Sequence, residues 1–201
     1  DGGMGRAQSP YAWTKATNTE LVRNYGEWFN IRYAITYFYN VYGPREISEG
    51  KYATLIALFK EKKKNNLPLT VVRPGTQKRN FTHVNDIISG LILVGENGYG
   101  DDYGIGSPNS YSILEIAKMF ESQIEMIPER PGNRMNADIV TQKTIKLGWK
   151  PIYEIKDYTD IIIGSEEVIQ LASFDFAAIV NALNKNPKMD KVAAAKVFTK
   201  T

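Results

Sequence analysis

Short runs rich in β-branched and aromatic residues alternate with helix-patterned segments along most of this chain, and that alternation most narrows the folds open to it. Residues 31–40 are dense in Ile, Tyr, Phe and Thr with no Gly or Pro to interrupt them, as a buried strand requires. Leu69 to Val72, Tyr103 to Ile105 and Ile124 to Ile127 are shorter runs of the same kind. Strands that alternate with helices are joined by crossovers, so the expected class is α/β with parallel strands.

Local signals bound the helices. Ser9-Pro10 opens one, since serine is a good N-cap and proline suits the first helical position. Leu21, Val22, Tyr25, Trp28 and Phe29 continue it at helical spacing, and Gly26 or Asn30 closes it, giving a helix over about 10–28. Residues 41–44 read as a turn. Residues 52–64 form a second helix that Pro68 prevents from continuing. Arg73-Pro74-Gly75 is a further turn, residues 80–84 are extended, and Asn85 is placed to cap a helix over 86–94. Ser112 with Glu115 forms a capping box at the head of a helix over 113–120. Residues 129–134 read as a loop, and 141–147 as a short helix closed by Gly148. Beyond about residue 160 the pattern changes: 166–183 is helix-prone, 184–187 breaks it, and 192–197 is a final short helix. The expected division is a main unit over 1–160 and a helical tail over 161–201.

Composition excludes several classes. The chain has 201 residues, no cysteine and one histidine, so disulfides, thiolate metal sites and a histidine zinc cluster are not expected. A net charge of +3 is small for this length. Lys60, Lys62, Lys63 and Lys64 read as the solvated end of a helix rather than a nucleic-acid patch. No apolar run approaches the roughly 20 residues that a membrane helix needs, so the expected location is cytoplasmic. The first residue is Asp1 rather than methionine, and the chain is expected to begin inside a longer protein.

Chemistry concentrates first at Tyr11-Ala12-Trp13-Thr14-Lys15. Residues four apart on a helix share a face, so Tyr11 and Lys15 become neighbours. A phenol is a poor base near neutrality, but an ammonium beside it favours the phenolate, which is suited to taking a proton from a hydroxyl. His83 reads instead as a histidine packed at a strand end, because the tyrosine already fills the acid/base role.

Ser9-Pro10-Tyr11-Ala12-Trp13-Thr14-Lys15, followed by Asn18 and Glu20, resembles the active-site helix of the extended short-chain dehydrogenases, the NAD-dependent nucleotide-sugar epimerases and dehydratases. Further segments resemble the same family in the same order. They are residues 36–44, residues 75–86, residues 103–107 with 112–116, Arg130-Pro131-Gly132-Asn133, and Leu147-Gly148-Trp149-Lys150-Pro151. The resemblance covers about residues 9–158.

It implies the carboxyl-terminal portion of a Rossmann-like doubly wound parallel sheet, a small α/β substrate-binding region, and NAD as cofactor. Tyr11 is then the base, and Lys15 binds the cofactor ribose and assists the tyrosine. Phe38 lies against the nicotinamide end through its backbone, while Asn40 and Arg79 hold the nucleotide diphosphate with Arg130 as a further candidate. Arginine suits that role because its planar donors pair with phosphate oxygens two at a time. The implied reaction is epimerisation of a nucleotide sugar at C4 through a 4-keto intermediate. A 4,6-dehydratase is the alternative within the family, and a non-catalytic scaffold of the same fold is the alternative outside enzymes. A homodimer is also implied.

Two departures from the family pattern fall in a substrate loop: Arg73-Pro74-Gly75 where Gly-Asp-Gly is common, and Arg79-Asn80 where Arg-Asp is common. A third is Gly132-Asn133 where Gly-Asp is common. The glycine-rich strand–turn–helix of a dinucleotide site is missing. Gly2, Gly3 and Gly5 have no strand before them, and Tyr103 stands where the motif begun at Gly98 needs a glycine. The expectation is therefore an incomplete chain without turnover of its own, or one that pairs with a separate cofactor-binding chain.

Overall fold

The computed structural model describes residues 10–50, 52–129 and 139–164. The first element is a helix, α1 (Pro10–Phe29). It ends where Asn30 takes a left-handed φ of 52° and the Ile31 N–H donates to the Gly26 carbonyl at 3.1 Å, a Schellman-type closure. Asn30 is thus the closing residue. Ser9, expected as the N-cap, lies outside the described residues.

Strand β1 (Ala34–Phe38) follows, and β2 (Val41–Tyr42) comes directly after it. Sequence reading placed a turn at 41–44, but Val41 and Tyr42 pair in parallel with β5 (Thr82–His83). The turn is confined to the residues after Tyr42, where Gly43 carries a φ of 145°. Helix α2 (Leu55–Lys64) begins later than residue 52 because Thr54 caps it, its hydroxyl accepting the Ala57 N–H at 3.4 Å. Its closing lysines behave as a helix end should: Lys62 donates to the Pro68 carbonyl at 3.2 Å, and Lys63 to that of Glu121 at 3.3 Å.

Strands β3 (Leu69–Val72) and β4 (Lys78–Asn80) lead into β5 and then helix α3 (Val84–Asn97). Its cap is not Asn85. His83 fills that position, its Nδ1 accepting the Asn85 N–H at 3.2 Å. The imidazole has an acceptor at the right reach and Asn85 is already inside the first turn. Strand β6 (Gly100–Ile105), β7 (Ser110–Ser112) and helix α4 (Ile113–Met119) come next. The capping box is present: the Ser112 N–H donates to Glu115 Oε2 at 2.6 Å, and the Glu115 N–H to Ser112 Oγ at 3.1 Å. Strand β8 (Ile124–Ile127), α5 (Gln142–Lys146) and α6 (Ile155–Gly164) complete the described chain. Helix α6 is continuous through residue 160. The two tail helices expected over 166–197 lie outside the described residues.

Three strand pairs are parallel, β1 with β6, β2 with β5 and β3 with β8, while β4 and β7 are antiparallel. The α/β class with parallel strands is therefore the observed one. Two apolar clusters hold it. The larger gathers Phe59, Leu69, Val71, Ile116, Phe120 and Ile155, so that α2, α4 and α6 close over β3. In the smaller, Phe38 of β1, Ile105 of β6, Ile87 of α3 and Trp149 pack together. Full burial of such side chains stabilises by roughly 1.5–3 kcal/mol each. Among the described residues, no helix is long and apolar enough to cross a membrane.

Candidate active site

Helix geometry decides the first relationship. Tyr11 and Lys15 lie one turn apart at the start of α1, and the Lys15 ammonium stands 5.5 Å from the centroid of the Tyr11 ring. That is within cation–π reach, so a positive charge rests against the phenol. Tyr11 is 45% exposed.

Of the other candidates, Phe38 and Asn40 lie at the carboxyl end of the parallel strand β1, where α/β sheets place their ligand crevices, while Arg79 lies on the antiparallel strand β4. Phe38 is the last residue of β1, buried and paired with Ile105 of β6. Asn40 follows with a left-handed φ of 37°, a conformation asparagine tolerates better than most residues. Its side-chain amide donates to the Asn80 carbonyl at 3.0 Å, and its own carbonyl accepts the Thr82 N–H at 3.3 Å. Asn40 is thereby stitched to the segment that carries Arg79. Arg79 lies on β4 opposite Tyr111, is half-buried, and donates to the Lys78 carbonyl at 2.7 Å. Arg130, and Gly132-Asn133 with it, lies outside the described residues.

Asn80 looked from sequence like a substrate-loop departure. In the structure it is a buried clamp: its amide donates to the carbonyls of Ser107, Pro108 and Asn109 at 2.9, 3.2 and 3.3 Å. An aspartate there would offer these carbonyls no N–H group, so the asparagine fits its surroundings. His83 is buried among aromatic rings, stacked on Tyr153 with centroids 4.4 Å apart and edge-on to Tyr42 at 5.2 Å. Burial pushes its imidazole down to about 4. It serves the fold as a neutral cap.

Sequence reading missed Asp86. It is 2% exposed, and its two carboxylate oxygens accept the N–H groups of Ile152 and Tyr153, each at 3.1 Å. Its carbonyl accepts Trp149 Nε1 at 3.0 Å. Burial raises its carboxyl, and these backbone donors work against that rise. The residue therefore ties α3 to the chain between α5 and α6. The signal for it, an acid in the first turn of a helix, is too common to single out.

A family model described as the NAD dependent epimerase/dehydratase family matches residues 2–106. The dTDP-D-glucose 4,6-dehydratase of Mus musculus is 29% identical over 157 residues, which is 71% of this chain and 43% of that protein. The low-salt glycan biosynthesis protein Agl12 of Haloferax volcanii is 31% identical over 172 residues, 80% of this chain and 54% of that protein. Among solved structures, UDP-glucuronic acid 4-epimerase from Bacillus cereus, in complex with UDP-glucuronic acid and NAD, superposes with a TM-score of 0.68 at 26% identity. It covers 78% of this chain and 52% of its own. The chain spans about half the length of the curated relatives it matches. The family model spans more than half of the chain, and the chain belongs to the NAD dependent epimerase/dehydratase family.

Proposed function

We propose that this chain carries the acid/base pair and the substrate-diphosphate site of an enzyme that epimerises a nucleotide-linked hexose at C4. The observation that supports it most directly is the Lys15 ammonium against the Tyr11 ring, at the head of an exposed helix in a member of this family. Tyr11 takes the proton of the C4 hydroxyl as hydride leaves the same carbon. Inversion follows when hydride returns to the other face of the 4-keto sugar and Tyr11 gives the proton back. Asn40 and Arg79, with Arg130, hold the diphosphate so that C4 stays within reach of the phenol.

The residues fit NAD in part. Lys15 suits the cofactor ribose, and the backbone at Phe38 suits the nicotinamide end. Among the described residues, however, no glycine-rich turn joins a strand to a helix in the way a pyrophosphate site requires. When bound, NAD supplies the acceptor and donor for the hydride. Turnover is therefore proposed for this chain joined to a dinucleotide-binding half, in the same polypeptide or in another, with assembly as a homodimer.

A 4,6-dehydratase begins with the same oxidation, and a relative of that description matches the chain. The two readings separate by product: an epimerised nucleotide sugar supports the proposal, and a 4-keto-6-deoxy product overturns it in favour of the dehydratase. A scaffold of the same fold is tested by Tyr11→Phe in the full-length protein. Activity lost with nucleotide-sugar binding retained supports an enzyme, whereas a parent without measurable turnover supports the scaffold.

A further inference from the structure

Of the twenty residues of α1, only Ala16 and Thr19 are buried, so the apolar core does little to fix the helix that carries Tyr11 and Lys15. A polar tie reaches it instead. The Arg23 guanidinium meets Glu20 on its own helix and Asp101 on β6, a residue 78 positions away in the chain. Asp101 is the better-fixed partner, its side chain 14% exposed against 38% for that of Arg23.

Asp101 is itself held from several directions. Burial first, and the neighbouring Asp101 carboxylate second, hold the Tyr37 phenol of β1 above its ordinary value. Asp101 Oδ1 accepts the Asp102 N–H at 2.6 Å, and the Asp101 carbonyl accepts Lys143 Nζ of α5 at 2.7 Å. One residue of β6 thus joins α1 to α5. A guanidinium is planar with fixed donor directions, so one that meets a carboxylate on its own helix and another on the sheet restricts how the helix can rotate. Lys15, Thr19 and Arg23 follow each other at four-residue spacing, and Lys15 and Arg23 are roughly 12 Å apart along the axis. A straight helix carries any rotation or slide at Arg23 to that end.

We infer that Arg23 and Asp101 form a positioning pair that holds α1 at one rotation and axial register over the β1–β6 sheet, and so sets where Tyr11 and Lys15 stand relative to the substrate. This rests on the reading of Tyr11 and Lys15 as the reacting pair. An exposed ion pair adds little to overall stability. The weight of this one lies in direction, because a displacement of about 1 Å at a reacting group costs up to about a hundredfold in rate.

The test compares Asp101→Asn and Asp101→Glu in the full-length protein by amide hydrogen exchange and steady-state kinetics. Asp101→Asn is expected to speed exchange in α1 about tenfold while α3 and α4 stay unchanged. It should lower kcat about tenfold while KM for the nucleotide sugar stays within about twofold. Asp101→Glu keeps the carboxylate and should recover most of both. Unchanged exchange and kcat in Asp101→Asn overturn the inference, as does faster exchange with unchanged kcat. If the parent protein turns over no nucleotide sugar, the proposed function fails and the positioning role falls with it, while exchange still reports whether the tie holds α1.

Discussion

Gly26 and Tyr33 meet where the end of α1 turns back toward β1. A Cβ built on Gly26 would stand 2.2 and 2.4 Å from two carbons of the Tyr33 ring. Real contacts do not come that close, so Gly26→Ala forces the ring or the helix end to move. The expected cost is about 1–3 kcal/mol, read as a lower urea midpoint with an unchanged m-value. A midpoint equal to wild type would show that Tyr33 moves aside freely and that the glycine is not needed there.

Replacing Tyr11 by Phe removes the proton-transfer group while leaving the ring beside Lys15. In the full-length protein, kcat should fall by about 10² to 10⁴-fold with nucleotide-sugar affinity little changed. Lys15→Met is expected to lower kcat and weaken NAD binding together. Retention of near-normal turnover by the Tyr11 variant would remove the phenol from the mechanism.

Neutral His83 caps α3 through Nδ1, and protonation would abolish that acceptor. Its imidazole lies well below its ordinary value, so its contribution to stability is complete above about pH 6.5 and is lost as pH falls toward about 4. Chemical denaturation across that window should show a falling limb that His83→Gln flattens. An identical limb in the variant would place the acid sensitivity elsewhere.

Glu46 behaves in the opposite sense. Burial pushes its carboxyl up to about 6, even though the Thr54 hydroxyl donates to its Oε1 at 2.7 Å. Its Oε2 is buried without a hydrogen-bond partner. A raised carboxyl means that the contribution is complete below about pH 4.5 and is lost as pH rises through about 6, a change of about 2 kcal/mol. Glu46→Gln removes this titration, so its stability relative to wild type should improve by about that amount between pH 4.5 and 7. A difference independent of pH would show that the carboxyl is better solvated than its burial implies.

Much of this was readable from local chemistry. The capping box at Ser112 and Glu115, the breaks at Asn30 and Gly148, and the strand Leu69–Val72 all follow from one or two residues acting on their neighbours. The pairing of Tyr11 with Lys15 was equally legible, since one helical turn separates them. What escaped depends on distant partners. Val41 and Tyr42 become a strand only because Thr82 and His83 come alongside, and His83 outcompetes Asn85 as a cap because its ring nitrogen faces the right N–H. Asp86 and Asp101 are ordinary acids until Ile152, Tyr153 and Arg23 are folded against them. Helix α6 went unnoticed because residues 151–154 before it carry no strong start signal.

The strand pairing carries a consequence for how the chain is made. Each of β1 to β4 finds its partner among β5 to β8, and none pairs with the strand next to it in sequence. Among the described strands, no hairpin between sequence neighbours is therefore there to form early and serve as a template. When synthesis has reached Asn80, the described strands β1 to β4 are out but none of these partners is, and β3 waits until Ile127 emerges. Pairing these strands needs long loop closures, which are slow, and leaves their edges open to one another until the closures are made.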